Sequence, residues 1–521
     1  MKPPETFRLL VISQLEVILL AISYVVMVAT GILCATGPIA LFVYYQRPAL
    51  VICYLFLLPV GVAISTVIFR SLFFLPVQPV LARLPVPLSI EPRLESFIAG
   101  IAKQLGQQPP NEVRLLAAPE LYLLHTGGFL GFGTKRCLCI GLPFLAGLTE
   151  SELWVAISNE LIWSAYSGET RHEGKAASGR GAFIRVLASL NSNQNSRSWV
   201  LRHVFGQIFL GAVTSGLSTY WKAVLAASQF LSRQRVYRMD DLTCYFAGAA
   251  ATISALRRMP GIKLVNVPFW QHWVTPAVNA GFRPALVETF QQLLADPSVA
   301  VSCDRSLEAF LKQRKAARND SHPPLSLRLE RLAQYADPPR VQAMNSNPAS
   351  GLIKNWENLE VGLLQLIHPR QDAANLRRLD WDAEGAEVFV PGWKASTGPF
   401  VSLLNGKPVT SLPALLAELA QMGAKIPDPR GQLLTRDQRT ERAYLLLTMA
   451  LGLRLREHGW NLNVRPGLMH FSKGGETLKL DALMARLRSG EMKPAEWKSM
   501  CEESGLAGVD LNGEALTEGG A

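Results

Sequence analysis

Glu160 lies in the stretch SELWVAISNELIWSAYSGE, Ser151–Glu169, with Asn159 directly before it and Trp163 three places on. On a helix, positions i and i+4 stack one above the other. Two imidazoles at that spacing with a Glu between them, His-Glu-x-x-His, grip a zinc ion and offer the Glu as general base to its bound water. Here the base position is filled, while Asn159 and Trp163 stand where the imidazoles would be. Asn is a poor zinc ligand and an indole is none, because its single ring N–H only donates. Another set of donors can be assembled from Glu160, Glu169, His172, Asp240, His125 and His203. Of these, Glu169 and His172 have the i, i+3 spacing of a shared helical face, although SGETRHEG around them is rich in loop formers.

Other segments must position this helix. Thr149 with Glu152 three places on reads as a capping box, so the helix is expected to open there and to end near Ser167 and Gly168. Upstream, NEVRLLAAPELYLLHTGGFLGFGTKRCLCIGLPFLAGL reads as short strands around a turn carrying Gly127, Gly128, Gly131 and Gly133. Before that, Glu91–Leu105 has apolar residues at helical spacing and stops at Gly106 and a Pro-Pro pair. Downstream, Trp199–Leu231 is moderately apolar but contains Arg202, His203 and Lys222. It is expected to form an amphipathic or membrane-surface helix pair. A helix through SQFLSRQRVYRMDDLTCYFAGAAATISALRRM follows, and His322 opens a His-Pro-Pro turn that starts another. Near Pro369 the sequence shifts to loops and short helices with a fresh set of tryptophans: Trp381, Trp393, Trp460 and Trp497.

The chain has 521 residues, 49% of them hydrophobic and only 18% charged, with a mean hydropathy of +0.16. Two uncharged runs, Val17–Tyr45 and Ala49–Phe69, each reach the ~20 residues needed to span hydrocarbon. Only Gln46, Arg47 and Pro48 separate them, so they are expected to form a tight transmembrane hairpin. Lys2 and Arg8 on one flank and Arg70, Arg83 and Arg93 on the other place both termini and the large remainder in the cytoplasm. The net charge of +11 suits apposition to anionic lipid. No basic run with interleaved aromatics points to nucleic acid, and no charge inside either anchor points to a channel or transporter. Seven scattered cysteines without a C-x-x-C pair indicate neither a disulfide framework nor a zinc ribbon. Cys137 and Cys139, alternating on a strand, are expected to share a core face.

In their order, several of these segments resemble the membrane zinc endopeptidase family of HtpX-type heat-shock proteases and CAAX prenyl endopeptidases. The resemblance spans about Pro79–Leu332. It rests on the two-helix anchor, Gly147 before LTESEL, the Glu160 helix, SRQRVYRMDDLTCYFAG and SHPPLSLRLERL. In that family the fourth segment reads S-R-x-x-E-x-x-A-D, its Glu being the third zinc ligand. The resemblance therefore puts Asn159, Trp163 and Val236 at the three former metal positions, Glu160 at a vestigial general base and Asp240 at the closing Asp beside the site. His322 falls at a structural His.

Without a metal the pKa of water stays far above the value of about 7 that zinc would give it, and Glu160 has no nucleophile to generate. Glu160 and Asp240 are then read as a structural hydrogen-bonding pair or cap. Trp163 and Val236 are expected to face each other and fill the vacated space, at roughly 1.5 to 3 kcal/mol for each fully buried side chain.

The resemblance implies a mainly helical α+β fold. Residues 1–76 would be a transmembrane hairpin anchor, 77–368 a zincin-like domain and 369–521 a C-terminal accessory domain. The function it implies is that of a multi-pass membrane pseudopeptidase with no cofactor. Its partners would be the membrane and an extended peptide, taken up beside Gly127, Gly128 and Phe129, or a partner membrane protein. The alternative is an active metalloendopeptidase with shifted zinc ligands.

Overall fold

The computed structural model describes residues 6–45, 51–73, 83–126, 135–166, 171–172, 186–190, 204–313, 322–335, 345–427 and 434–513. The architecture is mainly helical with short strands. It divides into two compact units, Met1–Lys263 with Cys303–Ile367, and Leu264–Ser302 with His368–Ala521. The second is discontinuous in sequence, because the chain enters it after Lys263, leaves after Ser302 and returns after Ile367.

The first unit begins with two apolar helices, α1 (Thr6–Tyr45) and α2 (Val51–Phe73). Within α1, Ala21–Tyr45 is long and apolar enough to cross a membrane, and Leu57–Leu72 of α2 is a shorter apolar stretch. The two helices approach closely at Gly61, where an added Cβ would lie 2.0 Å from the Cys34 carbonyl oxygen. Only glycine permits that approach.

Five strands follow in the order β1-β2-β4-β3-β5, with β1 Arg83–Val86, β2 Glu112–Leu116, β3 Leu121–Thr126, β4 Lys135–Gly141 and β5 Arg171–His172. The β1–β2 and β3–β4 pairs are antiparallel, whereas β2–β4 and β3–β5 are parallel. Alternation sorts β4 into two faces. Cys137 and Cys139 cluster with Leu116, Tyr122 and Leu124, both thiols fully buried as the strand pattern requires. The strand ends at Gly141, where a Cβ would sit 2.2 Å from the Ala118 carbonyl.

Helix α3 (Pro92–Gln104) buries Leu94, Ile98, Ile101 and Ala102, and Gly106 follows it at φ +66°. At its N-terminus the buried carboxylate of Glu91 accepts the N–H groups of Lys354 (2.6 Å) and Asn355 (3.0 Å). After the short α4 (Leu142–Gly147) comes α5 (Glu150–Tyr166). Its capping box forms as the sequence implies: Thr149 N donates to Glu152 Oε2 at 2.8 Å, and Glu152 N to Thr149 Oγ1 at 3.3 Å.

The segment expected to be a helix pair is instead part of one helix, α6 (Val204–Ala247), 44 residues long and so about 66 Å from end to end. No proline interrupts it, and Lys222 lies on its exposed side. Its buried positions Leu210, Thr214, Leu217, Trp221 and Val224 alternate at four- and three-residue steps, the spacing of a helix–helix seam. They pack with Met27, Cys34, Val60, Ile64 and Ile68 of α1 and α2. Gly248, at φ +92°, turns the chain into α7 (Ala249–Pro268), and two later helices, α8 (Leu325–Leu332) and α9 (Trp356–Ile367), complete the unit.

The second unit is built on an antiparallel meander, β8 (Asn461–Arg465), β9 (Leu468–Lys473) and β10 (Glu476–Leu478), beside the helix Arg436–Glu457. Preceding them, the two-residue strands β6 (Phe282–Arg283) and β7 (Arg377–Arg378) pair in parallel and tie the inserted segment to the rest. Trp381, buried in the same core, donates Nε1–H to Thr289 Oγ1 at 3.0 Å. Trp460 and Trp497 are buried there too.

Candidate functional site

In the first unit α5, α6 and β3 enclose a cavity of about 600 Å³. Its wall includes Asn159, Glu160, Trp163, Val236, Asp240 and His322. These six come from three stretches of sequence, and the fold brings them to one space. On α6 the wall residues Ser232, Arg235, Val236, Met239, Asp240 and Thr243 follow i, i+3, i+4, i+7, i+8 and i+11, one helical face.

Trp163 and Val236 do not fill this space. Val236 is buried (5% exposed), and Trp163 is half-buried against Ile162, Met239 and Leu242. Over the Trp163 ring stands the Arg235 guanidinium, 5.0 Å from the ring centroid. The Trp163 ring packs against this cation, and the space beside it stays open. Arg235 is only 1% exposed, and burial lowers its pKa to about 10. It is still a cation at neutral pH.

Asp240 does not pair with Glu160. Both its oxygens are taken by Arg328, whose Nε and Nη2 donate at 2.8 and 2.7 Å. Burial works against the charge of Arg328, but the Asp240 carboxylate and its hydrogen bonds prevail and raise its pKa. The next residue repeats the arrangement: Arg331 forks onto Asp241 at 2.9 and 2.6 Å, and the Tyr335 hydroxyl adds a bond at 2.9 Å. Two adjacent carboxylates on α6 thus hold two arginines one turn apart on α8. His322, just before α8, is exposed at the cavity rim.

The residues at the three positions that the resemblance assigns to a metal do not fit zinc. Asn159 offers one weak donor, Trp163 and Val236 none, and the Asp240 oxygens beside them are engaged. Among the described residues no group of three or more His, Cys, Asp or Glu is arranged to hold a metal ion. His125 and His172 are register partners across β3 and β5, while Glu169 and His203, like Gly127, Gly128 and Phe129, lie outside the described residues.

Sequence reasoning missed Arg235, Arg328 and Lys263 as wall residues. For Arg235 the signal was available, since any face of α6 holding Val236 and Asp240 also holds positions 232, 235 and 239. Comparison with protein-family models, with curated proteins and with solved structures finds no match.

Proposed function

We propose that this chain is a membrane-anchored, metal-free relative of the HtpX-type and CAAX zinc endopeptidases, and that it binds extended polypeptide without cutting it. The observation that carries the reading is the convergence of Asn159, Glu160, Trp163, Val236, Asp240 and His322 on one cavity. These are the positions a zincin-like domain would bring together. The peptide would add to β3. Beyond Leu124 and His125, where β5 pairs, Leu121 and Tyr122 of β3 lie at the cavity wall and can receive a strand edge-on.

The anchor is read as a hairpin of α1 and α2, with both ends cytoplasmic. Its support is the outward apolar surface of α1, where Val25 and Leu33 are 65% and 68% exposed. Such a surface is unfavourable in water and natural in lipid. Reporter fusions at the two ends test the topology, and an extracytoplasmic C-terminus would overturn it.

The test of the site is the triple variant Asn159→His, Trp163→His and Val236→Glu. If the three positions surround one former metal centre, the folded variant takes up about one zinc per chain, whereas the unaltered protein takes up none. A well-folded triple variant without metal affinity would count against the assignment. Glu160→Gln should leave binding of casein-derived peptides unchanged, since there is no metal-bound water for the carboxylate to serve.

A further inference from the structure

The first part of α6 carries no charge from Val204 to Trp221, a length of about 27 Å as helix and close to the ~30 Å of a bilayer's hydrocarbon. Arg202 and His203 precede this run, and Lys222 ends it. Its height against α1 is fixed by one contact: the Ser23 and Tyr220 hydroxyls lie 3.4 Å apart. Ser23 is close to the start of Ala21–Tyr45, the part of α1 able to cross a membrane. From that contact the shared core extends on α1 forward to Cys34, and on α6 backward to Leu210. The two helices are therefore antiparallel, and Val204–Trp221 covers the same depth as the apolar part of α1.

The outward side of this segment suits lipid. Ile208 is 64% exposed, and Ala212, Ser215, Gly216 and Thr219 are exposed with it. None is charged, whereas a helix lying on a membrane surface needs a strongly polar or charged face. Two of the hydroxyls bond within the helix, as hydrocarbon requires. Thr214 Oγ1 donates to the Leu210 carbonyl at 2.7 Å, and Ser218 Oγ to that of Ser215 at 2.9 Å. Tyr220 and the exposed Lys222 come where Ser23 marks the edge of the span, the level at which aromatic rings and long cations meet headgroups. Val186 and Leu190, fully buried in the same core, bring the chain ahead of α6 into the bundle as well.

We infer that Val204–Trp221 lies in the hydrocarbon of the membrane beside α1 and α2, its exposed side covered by acyl chains, with Tyr220 and Lys222 at the boundary. This rests on the membrane anchor formed by α1 and α2 and adds a further embedded helix to it. The cavity wall, which on α6 begins at Ser232, then starts about 15 Å below that boundary.

The test uses the full chain in lipid nanodiscs that contain a phospholipid with a diazirine at the middle of one acyl chain. After irradiation, trypsin cuts behind Arg8, Arg70, Arg202, Lys222 and Arg233 and separates the hairpin (9–70), the apolar part of α6 (203–222) and the turns that follow (223–233). Label is expected in the first two fragments and lost in the third, although Phe230 there is 62% exposed. Label in 9–70 without label in 203–222 would overturn the inference and leave the anchor standing. Equal label in 203–222 and 223–233 would remove the boundary at Tyr220 and overturn it too. No label in any fragment would refute both.

Two exposed alanines of α6 supply a second readout. Ala212→Arg puts a charge into hydrocarbon and should sharply lower the yield of folded protein in the membrane fraction, whereas Ala227→Arg, beyond the boundary, should leave that yield unchanged. Equal yields of the two would count against an embedded α6.

Discussion

The two halves of α6 bury different chemistry. From Leu210 to Val224 the inward side chains are Leu, Thr, Leu, Trp and Val, packed on α1 and α2. From Ser232 to Thr243 they include Arg235, Asp240 and Asp241. The first half is held by shape and apolar area, which tolerate substitution of similar volume. The second is held by directed charge, which tolerates little once one partner is removed. The same helix is therefore a packing element at one end and a precise scaffold at the other.

The sharpest way to break this comparison is to remove one carboxylate. Asp240→Ala strands a buried guanidinium on α8 and should destabilise the first unit by about 3 to 5 kcal/mol, read as a shift in the denaturant midpoint. The double variant Asp240→Leu with Arg328→Met should lose far less, because neither charge is left behind. Equal losses in the two would mean that the fork contributes volume and not charge.

On the apolar half, Leu217→Ala should cost about 2 to 5 kcal/mol through the cavity it leaves. Gly61→Val places a side chain against the Cys34 carbonyl and should cost about 1 to 3 kcal/mol by forcing α1 and α2 apart. Both are measured in the same denaturation assay, and a neutral Gly61→Val would dissolve the close approach of the two helices.

Arg235→Met should act in the opposite direction. Burial holds the folded pKa of Arg235 near 10, below its ordinary value in an unfolded chain. The unfolded chain therefore binds more protons between those values, and stability rises with pH across that window. Below it the whole cost is present, so Arg235→Met should stabilise the protein at neutral pH by on the order of 1 kcal/mol. A loss of stability instead would place Arg235 with Arg328 among the structural cations.

The smallest effect lies in the second unit. His368 is half-buried, and burial lowers its pKa from 6.5. Its charged form is disfavoured by folding, so stability should fall slightly as pH drops through 6.5 and below. A pH titration of the melting temperature checks this, and His368→Gln should flatten that slope.

Much of this was legible in the sequence where a local rule applied. Thr149 and Glu152 define a helix start within four residues, and Gly106 marks a stop through its left-handed φ. The alternation of Cys137 and Cys139 fixes their face. Asn159, Trp163, Val236 and Asp240, singled out by motif order, line one cavity.

What was not legible depends on distant partners. Nothing near Asp240 indicates that Arg328, 88 positions away, would occupy its oxygens. Trp163 was expected to fill the cavity, but its ring lies beside Arg235, a neighbour 72 positions away that no local pattern announces. The continuity of α6 was obscured by Lys222, whose charge resembles an interruption until its exposed side is known. The passage of Leu264–Ser302 into the second unit left no mark in composition.

A helix of 44 residues without a break has no joint. Each residue turns the helix by about 100° and advances it by about 1.5 Å, so Leu217 and Trp221 at the seam and Arg235 and Val236 at the cavity are fixed in angle and height on one continuous helix. The wall of the cavity and the seam with α1 and α2 are in this sense two ends of one rod.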